Sequence, residues 1–155
     1  MRSKIVFESI NESPGLSYNE IARKTNFSNG VISHYLNKLL QEGEIEKEGI
    51  KRGKYFTKNI PKEDREIIIL LRNKTNNQIF KILMKNLDVN DYTQNEISKK
   101  VKKSGSTISV CLKILRKSNI VERIITSKNS KFTSDISYRI SNRRLSSKYL
   151  MKYNL

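Results

Sequence analysis

The chain has 155 residues, of which 31 are Lys or Arg and 15 are Asp or Glu, so its formal net charge is +16 and its sequence pI is about 10.0. This length allows one average domain or two small ones. The longest apolar run, Ile67 to Leu71, has five residues, whereas a membrane-spanning helix needs roughly 20. The N-terminus lacks the continuous apolar stretch of a secretory signal, so we expect a cytoplasmic protein without a membrane partner.

Residues that carry out chemistry are sparse in this sequence. Cys111 and His34 are the only cysteine and histidine, which excludes an intramolecular disulfide and leaves too few ligands for a zinc site. Nucleophile-elbow and phosphate-binding glycine motifs are absent as well. We therefore expect no metal, no other cofactor and no catalysis.

The excess of positive charge favours an anionic partner. Nucleic acid ranks first, and an acidic membrane surface ranks second. The charge is unequal along the chain. Residues 1–60 contain 10 basic and 7 acidic residues, a net charge of +3, and residues 61–155 contain 21 and 8, a net charge of +13. The second half is therefore expected to be the stronger electrostatic anchor.

The predicted elements of the first half are three helices and a hairpin. An amphipathic helix over residues 3–11 precedes a short helix that opens with a capping box, in which Ser17 and Glu20 satisfy each other's amides. Ser28 is placed to cap a third helix, and Gly43 suits its left-handed end. The expected apolar residues of the first and third helices are Ile5, Val6, Ile10, Ile32, Leu36, Leu39 and Leu40. Alternating segments 45–48 and 54–57 then predict a β-hairpin.

An internal repeat predicts the same order in the second half. Residues 19–47 align without a gap onto residues 95–123 at an offset of 76, with ten identical pairs in 29 positions. The corresponding features are an amphipathic helix over residues 76–87, a capping box of Thr93 and Glu96, a third helix capped by Ser104 and ended by Asn119, and a longer hairpin over residues 120–140. The chain is thus predicted to be a tandem duplication.

Four segments are predicted: a first domain over 1–60, a linker or connecting helix over 61–75, a second domain over 76–141 and a C-terminal amphipathic helix over 142–155. In the last segment Leu145, Tyr149 and Tyr153 share one helical stripe. Two interpretations stay open for this stripe. It packs on its own domain, or it forms a homodimer with a second chain.

The run TNFSNGVISHYLNKLLQEGEIEKEGIKRGKYF resembles the winged helix-turn-helix of bacterial and archaeal regulators of the MarR and ArsR types. The second copy is similar but departs from the pattern in Asn119, which replaces the glycine, and in a basic turn, residues 99–103. The resemblance implies a mainly α fold with small β-hairpin wings (α+β) and two tandem winged helix-turn-helix domains. Winged helices also serve as protein-interaction modules, so the resemblance is specific for the fold rather than for the partner.

The expected DNA contacts are the outward positions of the two third helices, together with the basic turn and wings. Amide side chains can recognise adenine, apolar ones can meet thymine methyl groups, and lysines bind phosphates. The expected residues in the first copy are Ser28, Asn29, Gly30, Ser33, His34, Asn37, Lys38, Lys51, Arg52 and Lys54. Those in the second copy are Lys102, Lys103, Ser104, Ser106, Thr107, Ser109, Val110, Lys113, Lys128 and Lys131.

These features predict a nucleoid-associated transcriptional regulator that binds specific sequences of double-stranded DNA through two recognition helices and two basic wings. Two alternatives stay open at the level of sequence. The winged helices could dock a protein of a transcription or replication complex, or the chain could be a replication initiator of a plasmid or virus.

Overall fold

The two repeated segments fold as two separate units. The computed structural model describes residues 1–85, 91–126, 135–141 and 147–155. Unit 1 comprises Met1–Ile69 together with Lys152–Leu155, and unit 2 comprises Leu70–Met151. In both units a helix, a short strand, two helices and an antiparallel hairpin follow one another. The expected α+β fold of two tandem winged helix-turn-helix domains is confirmed.

Unit 1 contains a three-stranded antiparallel sheet in the order β1-β3-β2. The register pairs Leu16 with Tyr55, and Ile45 with Thr57. The elements of this part of the chain, the last of which continues into unit 2, are α1 (Arg2–Glu12), β1 (Leu16–Ser17), α2 (Tyr18–Thr25), α3 (Asn29–Gln41), β2 (Ile45–Glu48), β3 (Lys54–Thr57) and α4 (Lys62–Arg72).

Unit 2 contains the equivalent sheet in the order β4-β6-β5. The register pairs Tyr92 with Tyr138, and Val121 with Ile140. Its elements, the last of which ends in unit 1, are α5 (Lys74–Lys85), β4 (Tyr92–Thr93), α6 (Gln94–Val101), α7 (Gly105–Lys117), β5 (Val121–Thr126), β6 (Asp135–Ile140) and α8 (Ser147–Lys152).

Both predicted capping boxes are present. The Ser17 hydroxyl accepts from the Glu20 amide while the Glu20 carboxylate accepts from the Ser17 amide, and Thr93 and Glu96 repeat this arrangement. Each box satisfies amides that have no partner within the helix. The left-handed ends of α3 and α7 are also as expected, since Gly43 and Asn119 both have positive φ angles.

The identical apolar residues of the repeat form the centres of the two cores. Ile21, Ile32, Leu36 and Leu39 are buried in unit 1, and their counterparts Ile97, Ile108, Leu112 and Leu115 are buried in unit 2. These side chains hold the second and third helices of each unit together, so their replacement would leave cavities.

The predicted apolar face of the first helix was partly wrong in unit 1, and in unit 2 part of the predicted helix lies outside the described residues. Val6 and Ile10 are buried, but Ile5 is exposed because it points away from the face that packs on α2 and α3. Helix α5 buries Ile79, Phe80 and Leu83. Residue Leu87, at the end of the predicted helix, lies outside the described residues.

Strands β1 and β4 were not predicted, since two residues are too few to show an alternating pattern. Each ends at the residue that caps the following helix and makes its hairpin a three-stranded sheet. The turn before β1 needs glycine, because Gly15 has a φ of +84° and a Cβ atom there would lie 2.9 Å from Ile68 Cγ2.

The C-terminal residues fold with unit 1. Tyr153 is only 2% exposed, and its hydroxyl donates to Asp64 Oδ2 at 2.6 Å. The side-chain amide of Asn154 donates to Ser13 Oγ at 3.1 Å. Tyr153 thus packs within its own chain, whereas Leu145 lies outside the described residues.

Candidate nucleic-acid interface

Helix α3 separates a buried apolar face from an exposed polar face. Ile32, Leu36 and Leu39 point into the core. The predicted recognition residues lie on the opposite side and are all exposed: Asn29, Gly30, Ser33, His34, Asn37 and Lys38, with Ser28 just before the helix. This face carries amide and hydroxyl groups and a single lysine, which forms an i,i+4 ion pair with Glu42. It is a surface suited to hydrogen bonding rather than to charge attraction.

Helix α7 has the same division but a different exposed chemistry. Its buried residues are Ile108, Leu112 and Leu115. The predicted residues are again exposed: Ser104, Ser106, Thr107, Ser109, Val110 and Lys113. Val110 and Ile114 are 59% and 41% exposed. The outward face of α7 therefore combines apolar side chains with lysines, whereas the outward face of α3 is mainly polar and uncharged.

The two expected serine caps of these helices differ. Ser104 Oγ accepts from the Thr107 amide at 3.3 Å and lies 2.9 Å from the Thr107 hydroxyl. Ser28 occupies the expected N-cap position of α3 with extended backbone, but its side chain makes no cap hydrogen bond. Unit 1 has Val31 at the position of Thr107 and thus no hydroxyl there to orient the serine.

A residue at the start of the preceding helix contacts the recognition helix in both units, which the sequence analysis missed. The hydroxyl of Tyr18 donates to the Asn29 carbonyl at 2.6 Å and lies 2.9 Å from Ser33 Oγ. At the equivalent position, 76 residues later, Gln94 Nε2 donates to the Gly105 carbonyl at 2.9 Å. Both carbonyls belong to the first residue of the recognition helix, so these contacts orient its N-terminal end.

The wing of unit 1 presents two of its three predicted cations. Lys51 and Arg52 are exposed at the hairpin end. The sheet register places Lys54 opposite Ser17, and its ammonium forms an ion pair with Glu20 Oε2 at 3.2 Å. Burial opposes ionisation of Glu20, but hydrogen bonds from Ser17 and Lys54 outweigh it and lower the pKa of Glu20 to about 2. Lys54 therefore neutralises a charge inside the unit.

A second cation of unit 1, Arg65 on α4, is also used internally. Its side chain is 4% exposed, and Nη1 lies 2.6 Å from Glu46 Oε2 and 2.7 Å from Glu48 Oε1. Burial opposes its charge, yet these hydrogen bonds raise the pKa of Arg65. The guanidinium also lies over the Phe56 ring, 5.4 Å from its centroid. Arg65 thus holds α4 against the hairpin.

The cations of unit 2 lie largely on its surface. Lys102 and Lys103 are exposed in the turn between α6 and α7, and Lys102 adopts a left-handed conformation with a φ of 58°. An open groove of about 1070 Å³ between α7 and β5 is lined by Lys113, Arg116, Lys117 and Arg123, among other residues. Among its described lining residues the acidic one is Glu122, which is paired with Arg139. The predicted wing residues Lys128 and Lys131 lie outside the described residues.

Other kinds of site receive no support from the described residues. Within them, no group of three or more His, Cys, Asp and Glu side chains is placed to hold a metal ion. None of the helices described has the length and apolar composition needed to cross a bilayer. Cys111 is half-buried, and burial raises the pKa of its thiol, which makes it a poor nucleophile at neutral pH.

Two sequence families match the chain, one in each repeated segment. Residues 1–68 match the family described as "N-terminal HTH domain", and residues 73–123 match "Bacterial regulatory protein, arsR family". The arsR match thus falls on the second copy, although the first copy fits the MarR and ArsR pattern better by its glycine. No curated protein matches the chain.

Several solved structures are similar at low identity. Reduced HlyU from Vibrio cholerae N16961 is 18% identical, with a TM-score of 0.46, over 59% of this chain and 86% of that one. ScpB from Mycobacterium tuberculosis is 11% identical, with a TM-score of 0.34, over 99% of this chain and 95% of that one. The mRNA-binding domain of elongation factor SelB from E. coli, solved with SECIS RNA, is 10% identical, with a TM-score of 0.29, over 91% and 98%.

The described fold and the two family matches agree on the architecture. Each match covers one unit's helix-turn-helix, and each unit exposes the polar side of its third helix. The chain is therefore a protein of two tandem winged helix-turn-helix domains, the second similar to the arsR family, and these domains support its assignment as a DNA-binding transcriptional regulator.

Proposed function

We propose that this protein regulates transcription by binding a specific sequence of double-stranded DNA, with α3 and α7 each entering a major groove. The observation that carries the proposal is the shared geometry of the two helices. Each buries one face in its own core and exposes the other, and the exposed side chains have the sizes and hydrogen-bonding groups that reach base edges. The net charge of +16 supplies the attraction to phosphates.

The two helices have different parts in this proposal. Asn29 and Asn37 on α3 carry amides that can bond adenine through two hydrogen bonds, so α3 provides most of the sequence selectivity. Lys113 on α7, with Lys102 and Lys103 in the preceding turn, binds phosphates and provides most of the affinity. Val110 meets a thymine methyl group. The recognised site is therefore asymmetric, because the two half-sites face different side chains.

The wings bind the DNA backbone or minor groove beside each recognition helix. Lys51 and Arg52 are the phosphate contacts of the first wing, since both are exposed, whereas Lys54 is occupied by Glu20. In the second wing this part belongs to Lys128 and Lys131. Replacing Lys51 and Arg52 by Ala should weaken binding to all duplexes, with Lys54→Ala as the control that mainly lowers stability.

One chain with two recognition helices can occupy a site without a partner, so we propose binding as a monomer. The burial of Tyr153 within its own chain supports this stoichiometry over a dimer formed by the C-terminal helix. Footprinting combined with light scattering tests it. Protection of about 20 base pairs by a monomer is expected, as two helical turns of DNA require. A palindrome of twice that length, protected by a dimer, would support the tail-mediated homodimer instead.

A second candidate function is docking to a protein of a transcription or replication complex through unit 2. Val110 and Ile114 favour it, because exposed apolar side chains on one helix face are typical of protein interfaces. In that case Val110→Ser with Ile114→Ser would abolish the protein contact and leave DNA affinity unchanged. A replication initiator would be distinguished by selecting a repeated origin sequence.

Salt dependence is the experiment that tests DNA binding directly. If the two domains neutralise about 8 phosphates, the logarithm of the binding constant falls with the logarithm of salt concentration at a slope of about −7. The measurement uses fluorescence anisotropy of a labelled duplex between about 50 and 300 mM salt, with a selected and a random sequence. A slope shallower than about −2 on both would overturn duplex DNA as the partner.

A further inference from the structure

Tyr18 links the start of α2 to two positions on the recognition helix of unit 1. Its ring packs against the core cluster of the unit. Its hydroxyl oxygen lies 2.6 Å from the Asn29 carbonyl and 2.9 Å from the Ser33 hydroxyl. Ser33 is exposed on the face of α3 that is proposed to meet bases. One side chain therefore contacts both the helix backbone and an exposed polar group of the proposed recognition surface.

The number of available hydrogens decides the direction of these bonds. A tyrosine hydroxyl has one hydrogen, and a carbonyl oxygen can only accept. The hydrogen of Tyr18 is therefore given to the Asn29 carbonyl, and the contact with Ser33 requires the serine to donate to the tyrosine oxygen. The single hydrogen of Ser33 is then used within the protein. Only the lone pairs of Ser33 Oγ remain for an external partner.

We propose that Tyr18 determines base specificity by making Ser33 a hydrogen-bond acceptor only. In the major groove an acceptor pairs with the exocyclic amino group of adenine or cytosine, and it finds no donor on the O6 of guanine or the O4 of thymine. This inference rests on the proposed function, since it assumes that α3 reads base edges. It adds a residue outside the recognition helix to those that decide the sequence.

Unit 2 lacks this restriction. Gln94 occupies the position of Tyr18 and donates to the Gly105 carbonyl, but within the described residues no hydrogen bond connects it to Ser109, the counterpart of Ser33. The hydroxyl of Ser109 keeps both its hydrogen and its lone pairs, and it can meet any of the four bases. Ser109 therefore provides a matched control for Ser33 in the same chain.

The test is selection of binding sites from random duplexes by the full-length protein, three single variants and one double variant. The wild type should prefer adenine or cytosine at one position. Tyr18→Phe keeps the ring and removes the hydroxyl, and Ser33→Ala removes the acceptor. Both should flatten the preference at that same position by about three- to tenfold. Ser33→Ala should leave the other positions unchanged, whereas Tyr18→Phe also removes the bond to the Asn29 carbonyl and should weaken selection by the N-terminal end of α3 as well. Ser109→Ala changes a hydroxyl on the other recognition helix and should leave the preference at the Ser33 position intact. Combining Y18F with S33A should flatten that position no further than S33A alone.

The outcomes separate this inference from the proposed function. If the wild type selects a site but S33A flattens no position, or Y18F leaves the preference at the Ser33 position intact, the inference is overturned while DNA recognition stands. If the wild type binds selected and random duplexes equally, sequence-specific recognition fails and the inference fails with it. Alanine favours the helix more than serine does, so S33A should unfold at a temperature no lower than the wild type. A changed preference in S33A would then not come from a lost fold.

Discussion

Units 1 and 2 share the same order of elements but use their positive charges differently. In unit 1, Lys54 and Arg65 are paired with Glu20, Glu46 and Glu48, and the exposed face of α3 is largely uncharged. In unit 2, the lysines of the turn and of α7 are exposed and form no ion pair within the described residues. Net charge alone therefore does not locate a binding surface, because some cations serve the fold of their own unit.

The residues that occupy equivalent paired positions of the two sheets explain part of this difference. In unit 1 the residue opposite the first capping serine is Lys54, which reaches Glu20. In unit 2 the residue opposite Thr93 is Ser137, which cannot neutralise Glu96. Similarly, Glu122 pairs across the hairpin with Arg139, whereas Glu46 faces Phe56 and is neutralised by Arg65 from α4. Equivalent glutamates of the two units therefore have different partners.

The largest expected effect tests the assignment of affinity to unit 2. Replacing Lys102, Lys103 and Lys113 together by Ala should weaken binding to every duplex by about two orders of magnitude at 0.1 M salt, because about three phosphate contacts are lost. The salt slope should become shallower by about 2.7. Fluorescence anisotropy on selected and random duplexes measures both quantities.

The matched change in unit 1 is Asn29→Ala with Asn37→Ala. It should lower the preference for the selected sequence by about 1–3 kcal/mol per lost contact and leave random binding nearly unchanged. If the asparagine changes weaken random and selected duplexes equally, the division between a reading unit and an anchoring unit is wrong.

A second prediction concerns the ion pairs that hold the hairpins. Arg65→Met should lower the free energy of unfolding of unit 1 by about 2–4 kcal/mol, since the buried guanidinium contacts two carboxylates and the Phe56 ring. Arg139→Met should have a smaller effect on unit 2, because that pair is exposed to solvent. Amide hydrogen exchange of β2 and β5 measures each unit separately. Equal losses in the two units would contradict the comparison.

A third prediction concerns acid. Because the pKa of Glu20 falls from 4.5 to about 2 on folding, its contribution to stability is complete above pH 4.5 and is lost as the pH falls towards 2. Glu20→Gln should cost about 1 kcal/mol at neutral pH, a value reduced by the partial exposure of the carboxylate. It should also flatten the pH dependence of unit 1 in that window.

The control for this prediction is Glu96→Gln, which changes the same capping box in unit 2, where Ser137 replaces the lysine. Thermal unfolding followed at several pH values compares the two variants. A pH dependence altered as much by E96Q as by E20Q would show that neither the Ser17 hydroxyl nor Lys54 sets the pH dependence of unit 1.

The smallest effect concerns the turn between the second and third helices. Asn26 and Lys102 occupy equivalent positions with φ angles of 56° and 58°, a conformation that asparagine tolerates better than lysine. Lys102→Asn should stabilise unit 2 by about 0.5–1 kcal/mol, and Asn26→Lys should destabilise unit 1 by a similar amount. Calorimetry measures both. A stabilised K102N that also binds DNA more weakly would indicate that the lysine is retained for binding.

The sequence predicted the helices, hairpins and caps well because these depend on local patterns. Four of the ten identical pairs at an offset of 76 are buried residues of the two cores, and a fifth supplies the glutamates of the two capping boxes. The periodicity of α3 and α7 separated their buried faces from their exposed ones. Helical periodicity and capping boxes are read from residues close together along the chain. They therefore need no knowledge of which distant segments meet.

Only the tertiary structure decided which polar side chains are already occupied. Lys54 meets Glu20 across 34 residues, Arg65 meets Glu46 across 19, and Tyr18 meets Ser33 across 15. Tyr153 reaches Asp64 across 89. These contacts depend on sheet register and on where the chain end packs, which local patterns do not encode. A sequence does not distinguish a cation or hydroxyl that is free for an external partner from one that is bonded within the protein. The two become distinguishable only when folding brings internal partners within hydrogen-bond distance.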